Sequence, residues 1–347
     1  MFKPNFRYTD KMVNNLTQIA VARELILNSP LVPKWEVALR REAIVRSAHS
    51  STSIEGNRLS LEQVSDLAHG REVMAERKDR LEVLNYLEAL ENIDKLTDGE
   101  EITEKDLLKA HKMLTQETLE NPSDCGAYRS RYVVVGNRLT GEIFFRPPSN
   151  EDVPKLVRAL LEWLNSPEAD AFDPVIEAGI THYELVRIHP FVDGNGRTAR
   201  VLATLILYLR GFDSKQFFCL DDYYDSDRPS YYRALQGVDQ NTLDLTNWLE
   251  YFVEGVRVSI EAVKERVVRL SSERLRKAQK GQIALTERQM MIVEFINRNE
   301  RITNRDVREM FKISSQAAHK ELIKLVRLDV VEPAGRGRSL SYRLKQG

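Results

Sequence analysis

The residues best suited to chemistry in this 347-residue chain lie in one run of twelve, residues 189–200, with the sequence His-Pro-Phe-Val-Asp-Gly-Asn-Gly-Arg-Thr-Ala-Arg. The run contains a histidine that can act as a base, a carboxylate that can bind a metal ion, and two arginines that can bind phosphate. Two glycines flank an asparagine and permit a tight backbone turn. Together these groups can hold a nucleoside triphosphate and transfer part of it.

The run is predicted to form a loop between two helices, because apolar residues recur at helical spacing before His189 and after Gly196. Backbone N–H groups and the helix dipole favour an anion at the start of the second helix. Arg197 and Arg200 lie three residues apart on that helix, so both can reach one polyphosphate. Asp193 can hold Mg²⁺ with phosphates and water as the other ligands. A neutral His189 can accept a proton from a hydroxyl.

A rival interpretation of the same run is a dinucleotide-binding fingerprint. Residues 194–199 fit Gly-x-Gly-x-x-Ala, and Asp213 follows at about the spacing that such a fingerprint requires. The fingerprint needs a strand before the first glycine and a βαβ frame around it. A helical pattern precedes the glycines here and strands are almost absent nearby, so we reject this interpretation.

Residues 189–200 match, without a mismatch, the signature of the Fic family, His-x-Phe-x-(Asp/Glu)-Gly-Asn-Gly-Arg-x-x-Arg. The chain resembles this family over most of residues 1–260, including Gly-Ala-Tyr-Arg at 126–129, Pro-Pro at 147–148 and residues 228–235. Fic proteins typically transfer AMP from ATP to a Ser, Thr or Tyr hydroxyl of a target protein and release pyrophosphate. The resemblance therefore implies a nucleotidyltransferase that uses ATP and Mg²⁺ and acts on a target protein and on itself.

The resemblance also implies a role for each residue of the motif. His189 deprotonates the target hydroxyl, and Asp193 holds the Mg²⁺ that bridges the α- and β-phosphates. Arg197 neutralises the leaving pyrophosphate, and Arg200 binds the γ-phosphate. The backbone nest around the phosphates is formed by Gly194, Asn195 and Gly196.

Three further features follow from the same resemblance. A β-hairpin at about residues 132–146 is the flap that holds the target segment by strand-like pairing. Tyr231 and Tyr232 either line the adenine pocket or, as unassigned aromatic residues, belong to the core. The Gly-Asn-Gly core favours AMP transfer, since the phosphotransferase branch of the family, the toxin Doc, departs from it and binds ATP in reverse.

Residues 50–57, Ser-Ser-Thr-Ser-Ile-Glu-Gly-Asn, resemble the family's inhibitory motif (Ser/Thr)-x-x-x-Glu-(Gly/Asn), with Ser51, Glu55 and Gly56 at its defining positions. Because this inhibitory segment precedes the catalytic motif, the chain is similar to class II Fic proteins, and the adjoining Asn57 is grouped with the regulatory residues. The expected mechanism is a bidentate pair between Glu55 and Arg200 at the position of the γ-phosphate. Without the resemblance, the serines would suggest an N-cap and Glu55 a surface charge.

Residues 285–347 have the order of a winged helix-turn-helix, with helices beginning near residues 302 and 313 and a ribbon over 330–344. Residues 281–347 carry 13 Lys/Arg against 8 Asp/Glu, and the other 280 residues carry 38 against 44, so the two ends suit different partners. This excess is modest for a DNA-binding domain, and such modules also serve protein docking or dimerisation. The residues expected to contact nucleic acid are Ser314, Ser315, Gln316, His319, Arg336 and Arg338.

The sequence as a whole predicts a mainly α-helical fold: a Fic-type helical core with a small β-hairpin flap, followed by a winged helix. We assign residues 1–100 to a helical region with the inhibitory motif, 101–270 to the Fic catalytic domain, 271–284 to a linker and 285–347 to the winged helix. His111 and His182 lie in helical patterns, and we expect both in the core. With two cysteines, no secretory leader and no run of about 18 apolar residues, a cytoplasmic protein without a membrane segment is expected.

Two alternative functions remain open from the sequence. One is a DNA-binding regulator whose Fic domain senses nucleotide or nucleotide-modified partners with little transfer activity. The other is an enzyme that removes AMP from its targets, with Glu55 orienting a water molecule. A homodimer that controls the inhibitory segment is a further hypothesis, which no particular residue supports.

Overall fold

A computed structural model gives the structure of residues 2–99, 101–136, 143–213, 215–278, 285–328, 330–335, 337 and 340–345. This part of the chain is mainly helical, as predicted. None of its helices combines the length with the apolar character that a bilayer crossing needs. The helices of the described residues are α1 (Asp10–Asn28), α2 (Pro33–Ile54), α3 (Leu61–Ala68), α4 (Arg77–Glu91), α5 (Glu104–Thr115), α6 (Val153–Leu164), α7 (Pro167–Asp170), α8 (Pro174–Ile188), α9 (Asn195–Leu209), α10 (Asp221–Ser226), α11 (Arg228–Gln236), α12 (Thr246–Ala278), α13 (Glu287–Asn299), α14 (Asn304–Phe311) and α15 (Ser315–Arg327).

Two short antiparallel hairpins complete the described structure. The strands are β1 (Val135–Gly136), β2 (Ile143–Phe145), β3 (Val331–Ala334) and β4 (Ser341–Leu344). β1 pairs with β2 and β3 with β4, with one irregularity in register within the first pair. The first hairpin lies where the flap was predicted, and its connection, residues 137–142, is outside the described residues.

The chain divides into compact units at other places than the predicted boundaries. Residues up to Glu24 and Glu42–Val263 form one unit, so no division separates residues 1–100 from 101–270. Leu25–Arg41 and the residues from Lys264 onward form the other. α12 continues through residues 271–278 of the segment assigned to the linker, where Arg, Glu, Lys and Ala are strong helix formers. Residues 279–284 are outside the described residues.

Helix α8 is the centre of the first unit and leads at its C-terminal end into the loop 189–194, which begins the motif identified in the sequence. It is buried on nearly all sides, which is typical of a helix inside a core. Gly179 allows α12 to pack closely, because a side chain there would come within 2.9 Å of Leu249. Trp248 Nε1 donates a hydrogen bond to the Gly179 carbonyl at 2.8 Å. The loop is therefore attached to a rigid element.

Local capping explains two of the helix boundaries in this unit. α5 begins at Glu104 because Thr103 caps it, forming a reciprocal capping box with Asp106. α3 ends at Ala68 because Gly70 adopts the left-handed conformation with φ +71°. These caps set the ends of two helices that flank α4.

The second unit contains α13, α14, α15 and the β3–β4 hairpin, so the helices and ribbon expected between residues 302 and 344 are present. Backbone hydrogen bonds of 2.8 Å join Ile302 and Tyr342 in both directions and connect the hairpin to the start of α14. Arg336 and Arg338, expected at the ribbon tip, lie outside the described residues. The buried core of this unit consists of Ile292, Val293, Ile296, Ile302, Val307, Ala318, Leu322, Leu325, Val331 and Tyr342.

Candidate active site

The loop 189–194, between α8 and α9, is held by the side chain of Asn195, which belongs to the same motif. Asn195 Oδ1 accepts a hydrogen bond from Phe191 N, and Asn195 Nδ2 donates one to Phe191 O, both at 2.9 Å. This side chain is thus fully engaged with the backbone. The predicted contribution of Asn195 to a phosphate nest is therefore limited to its own N–H group, which lies in the first turn of α9.

His189 is the C-cap of α8 and adopts the left-handed conformation, with φ +52°. Its Nδ1 lies 3.2 Å from the Val186 carbonyl. Because a carbonyl only accepts, Nδ1 carries the hydrogen and Nε2 presents a lone pair. Burial lowers the pKa of His189, and the Val186 carbonyl and the nearby Glu55 oppose that shift. The imidazole is therefore neutral near pH 7 and suited to accept a proton.

Arg129 links the loop 189–194 to the segment that follows the β1–β2 hairpin. Its Nε donates to the His189 carbonyl at 2.8 Å, and its Nη2 donates to the Pro148 carbonyl at 2.6 Å. Its main-chain N–H donates to Pro190 O at 2.9 Å. The side chain is buried, and burial lowers its pKa. Analysis of the sequence had singled out the segment 126–129 without assigning this contact.

His111 supports the same loop from α5 and is buried, as expected for a core histidine. Its Nε2 lies 3.0 Å from the Asp193 carbonyl, and its Nδ1 accepts a hydrogen bond from Gly126 N at 3.0 Å. Its ring stacks on Phe191 with centroids 3.7 Å apart. Burial lowers the pKa of His111 to about 4, so it is neutral with its hydrogen on Nε2. This positioning role was not predicted, because His111 lies far from the motif in sequence.

Two closely packed glycines stand at the first turn of α9, where an anion site is predicted. Gly194 has φ +78°, and a side chain there would come within 2.8 Å of Thr115 Cγ2, so the position requires glycine. A side chain on Gly196 would overlap the carboxylate of Glu55. The N–H groups of a first helical turn have no intrahelical acceptor, and they carry the positive end of the helix dipole.

Arg197 is 2% exposed and lies between two carboxylates. Its Nη1 is 3.4 Å from Glu82 Oε1, and its Nη2 is 3.5 Å from Asp193 Oδ1. Arg197 Nε and Nη1 make no hydrogen bond to any described residue. Buried donors without acceptors are costly, so this guanidinium is well suited to an anionic ligand.

Arg200 is buried and contacts Ser51 and Glu55, two residues of the predicted inhibitory motif. Its Nη2 donates to Glu55 Oε1 at 2.8 Å and to the Ser51 carbonyl at 2.9 Å, and its Nε donates to Ser51 Oγ at 2.6 Å. The expected bidentate pair is wrong, because a single Glu55 oxygen binds and Ser51 takes the other donors. Burial opposes the charge of Arg200, but Glu55, two tyrosines and Asp221 outweigh it and raise the pKa of Arg200.

Asp221 is a second anionic partner of Arg200, which sequence analysis missed. Its Oδ1 lies 3.4 Å from Arg200 Nε. Ser47 Oγ donates to Oδ2, and Tyr86 OH donates to Oδ1 at 3.5 Å. Burial raises the pKa of Asp221, and Arg200 and Ser47 oppose this shift. Arg200 thus has one partner inside the core and one in the inhibitory segment.

The two tyrosines predicted to line an adenine pocket occupy different environments. Tyr231 is in the core: its OH lies 2.9 Å from His182 Nε2, and its ring stacks on Tyr224 with centroids 4.5 Å apart. Tyr231 is therefore buried among core aromatic residues. Tyr232 is 40% exposed and donates to the carbonyl of Ile54, the last residue of α2, at 3.2 Å.

Asp193 is the one motif carboxylate suited to a metal ion. Its side chain is 37% exposed, and its Oδ1 accepts a hydrogen bond from Gly194 N at 2.6 Å. Within the described residues, no group of three or more His, Cys, Asp or Glu side chains can hold a metal. A single carboxylate completed by phosphates and water fits Mg²⁺, which keeps several non-protein ligands.

Burial of His111 and His182 predicts a loss of stability in acid. The pKa of His111 is lowered to about 4 by burial, and that of His182 is lowered to about 3 by burial together with the nearby charge of Arg200. Below the unfolded pKa of about 6.5, the unfolded chain binds protons that the folded chain does not. The free energy of unfolding should fall by about 1.4 kcal/mol per pH unit for each histidine as the pH drops from about 6.5 to about 4.

Urea denaturation across this pH range measures the effect. The matched variant His111→Gln keeps a donor for Asp193 O and an acceptor for Gly126 N but does not titrate, so its stability should depend less steeply on pH. Equal slopes for the two proteins would contradict the assignment of His111 as a buried neutral group.

Residues 101–207 match the sequence profile of the Fic/DOC family. The protein named "Protein adenylyltransferase Fic" of Nematostella vectensis is 32% identical over 203 residues, which is 56% of this chain and 45% of that protein. The protein of that name in Drosophila melanogaster is 31% identical over 226 residues, which is 61% of this chain and 44% of that protein. The chain thus spans less than half the length of these curated relatives.

Solved structures extend the similarity beyond the matched segment. A Fic family protein from Desulfovibrio desulfuricans is 25% identical with a TM-score of 0.65, covering 100% of this chain and 99% of that one. Fic-1 of C. elegans, residues 134–508, is 26% identical with a TM-score of 0.58, covering 74% of this chain and 72% of that one. The intact motif, the helical core around α8 and α9 and these relatives show that the chain carries a Fic domain.

Proposed function

We propose that the protein transfers AMP from ATP to a Ser, Thr or Tyr hydroxyl of a target protein and of itself. The observation that carries this proposal is the placement of a neutral His189 on the loop that leads into the anion site of α9. Arg197 and Arg200 project from the same helix. The adenylyltransferase names of the relatives support the same activity.

In the proposed reaction each group of the site has a separate role. His189 Nε2 takes the hydroxyl proton as the target oxygen bonds to the α-phosphorus, and the bond from that phosphorus to the β-phosphate bridging oxygen breaks. The electron pair leaves with pyrophosphate, whose charge Arg197, Arg200 and the α9 amides stabilise. Asp193 would hold Mg²⁺, which supplies further charge neutralisation at the phosphates. His189 then returns its proton to solvent or product.

The hairpin is the proposed site for the target segment. In the described residues it is a two-stranded sheet of β1 and β2, so each strand has an outer edge, and an extended peptide can add to such an edge. Val134, Ile143 and Phe144 are exposed large apolar residues beside or within the strands, which suits contact with target side chains. Arg129 fixes the Pro148 end of this hairpin relative to His189, so the target hydroxyl would be presented to the base.

We propose that the inhibitory segment reduces transfer by occupying the γ-phosphate position. Glu55 and Ser51 together supply three acceptors to Arg200. ATP must compete with these acceptors for the same guanidinium. The side chain of Glu55 in this ion pair is 33% exposed. A phosphate can therefore replace the Glu55 carboxylate without unfolding of the core.

Labelling with ATP tests the transfer and its inhibition together. We expect label from α-labelled but not γ-labelled ATP to enter the protein, to increase about tenfold or more in Glu55→Gly, and to vanish in His189→Ala. The increase follows from removing a charged hydrogen bond worth about 1.5–3 kcal/mol. Label from the γ position would indicate a kinase reaction, and absence of label in Glu55→Gly would overturn the proposal.

Removal of AMP from modified proteins is the alternative chemistry for the same residues. Glu55 lies close enough to His189 to influence its pKa, so it can orient a water molecule near that base. Wild-type protein that releases AMP from a pre-labelled target, with loss of release in Glu55→Gly, would favour this alternative.

A cytoplasmic location and a homodimer remain predictions from the sequence.

For the second unit we propose a winged helix that contacts nucleic acid through α15. Two of the residues expected there have structural roles: Ser314 caps α15, and Ser315 exchanges two hydrogen bonds of 3.0 Å with Asn304. Gln316, His319 and Lys320 are exposed on this helix, and this exposure favours a binding surface.

A gel-shift series over salt concentration tests this second role. Duplex DNA should be retarded at low salt with an affinity that falls steeply as salt rises, because phosphate contacts release counterions. Lys320→Glu should weaken the shift at every DNA sequence tested. No retardation at low salt, with the wild-type protein folded, would show that the unit has another role.

A further inference from the structure

A second set of polar contacts begins two residues after Glu55. Asn57 is buried, and its Nδ2 donates to the Asp79 carbonyl at 2.9 Å and to Glu82 Oε2 at 3.1 Å. Its Oδ1 accepts a hydrogen bond from Leu59 N at 3.1 Å. Every polar atom of this side chain is therefore engaged, and Asn57 is anchored to α4 rather than to Arg200.

Glu82 connects Asn57 to Arg197 of the motif. It lies on α4, is 7% exposed, and its Oε1 is 3.4 Å from Arg197 Nη1. Arg197 Nη2 is in turn 3.5 Å from Asp193 Oδ1. A continuous line of polar groups thus runs from the inhibitory segment to the carboxylate suited to Mg²⁺. Lys78, the other cation near Glu82, is 3.9 Å away and largely exposed.

The turn that carries Glu55 separates these two sets of contacts. Gly56 has φ +97°, a conformation that glycine adopts readily, and nothing lies within 4 Å of the position of its missing side chain. Backbone bonds from Gly56 N to Ser53 O at 3.0 Å and from Asn57 N to Thr52 O at 3.1 Å join the turn to the end of α2. Glu55 lies on the exposed side of this turn and Asn57 on the buried side.

We propose that Asn57 and Glu82 position Arg197 for the pyrophosphate, so that the inhibitory segment acts on both arginines of the motif. This inference rests on the proposed function. Asn57 holds one oxygen of Glu82, and the other oxygen orients the buried guanidinium of Arg197. Release of Glu55 from Arg200 then occurs by movement about Gly56 with Asn57 staying in place, because withdrawal of Asn57 would also disturb Arg197. Asn57 and Glu82 are positioning residues and touch no reacting atom.

Pyrophosphate binding tests the inference without depending on transfer. Asn57→Ala and Glu82→Gln are made in the Glu55→Gly background, and the Mg²⁺-loaded proteins are titrated by calorimetry with pyrophosphate and, separately, with AMP. We expect each variant to weaken pyrophosphate binding about tenfold and to leave AMP binding within about twofold. The double variant should bind pyrophosphate no more weakly than Glu82→Gln alone, since both residues act through one contact.

Two controls separate positioning from a loss of folding. Lys78→Ala removes the exposed cation beside Glu82 and should leave pyrophosphate binding unchanged. Asn57→Asp keeps the acceptor for Leu59 N but places a charge against Glu82, so it should weaken pyrophosphate binding even if Asn57→Ala fails to fold. Pyrophosphate affinities equal to that of Glu55→Gly, in variants with unchanged melting temperatures, would overturn the inference. Failure of Glu55→Gly to transfer AMP would overturn the proposed function instead.

Discussion

The buried positive charge of Arg200 is the constraint on which the rest of the site depends. A guanidinium removed from water needs anionic or hydrogen-bonding partners, and losing one leaves a costly unpaired donor. Asp221 meets part of this need from within the core, and the inhibitory segment meets the remainder through Ser51 and Glu55. Asp221 is buried and Glu55 is partly exposed, so Glu55 is the partner of Arg200 that a ligand can replace. A terminal phosphate has the charge and oxygens to replace it.

The loop 189–194 also depends on hydrogen-bonding partners supplied by the protein. Its backbone turns sharply between two core helices, and three of its carbonyls are each held by a separate side chain: Arg129 holds that of His189, Asn195 that of Phe191 and His111 that of Asp193. None of these contacts requires a bound nucleotide. His189 and Asp193, the proposed base and the proposed metal ligand, are therefore held in position by the protein itself, which lowers the cost of organising the site.

The sequence was sufficient for the parts of the site that are contiguous. The motif places His189, Asp193 and the arginines on one loop and helix, and the patterns of apolar residues predict the helices around it. His111, Glu82 and Asp221 could not be found in this way, because each acts on a residue at least 20 positions away and is, by itself, an ordinary core histidine or surface carboxylate.

The most direct test of the account is the affinity of the protein for ATP and for AMP, with and without Glu55. If Glu55 occupies the position of the γ-phosphate, calorimetry should show that Glu55→Gly binds Mg²⁺-ATP about tenfold or more tightly than the wild type, while AMP binding is unchanged. A tenfold change corresponds to about 1.4 kcal/mol, below the worth of one charged hydrogen bond. Equal affinity of both proteins for ATP, or an equal gain for ATP and AMP, would contradict competition for Arg200.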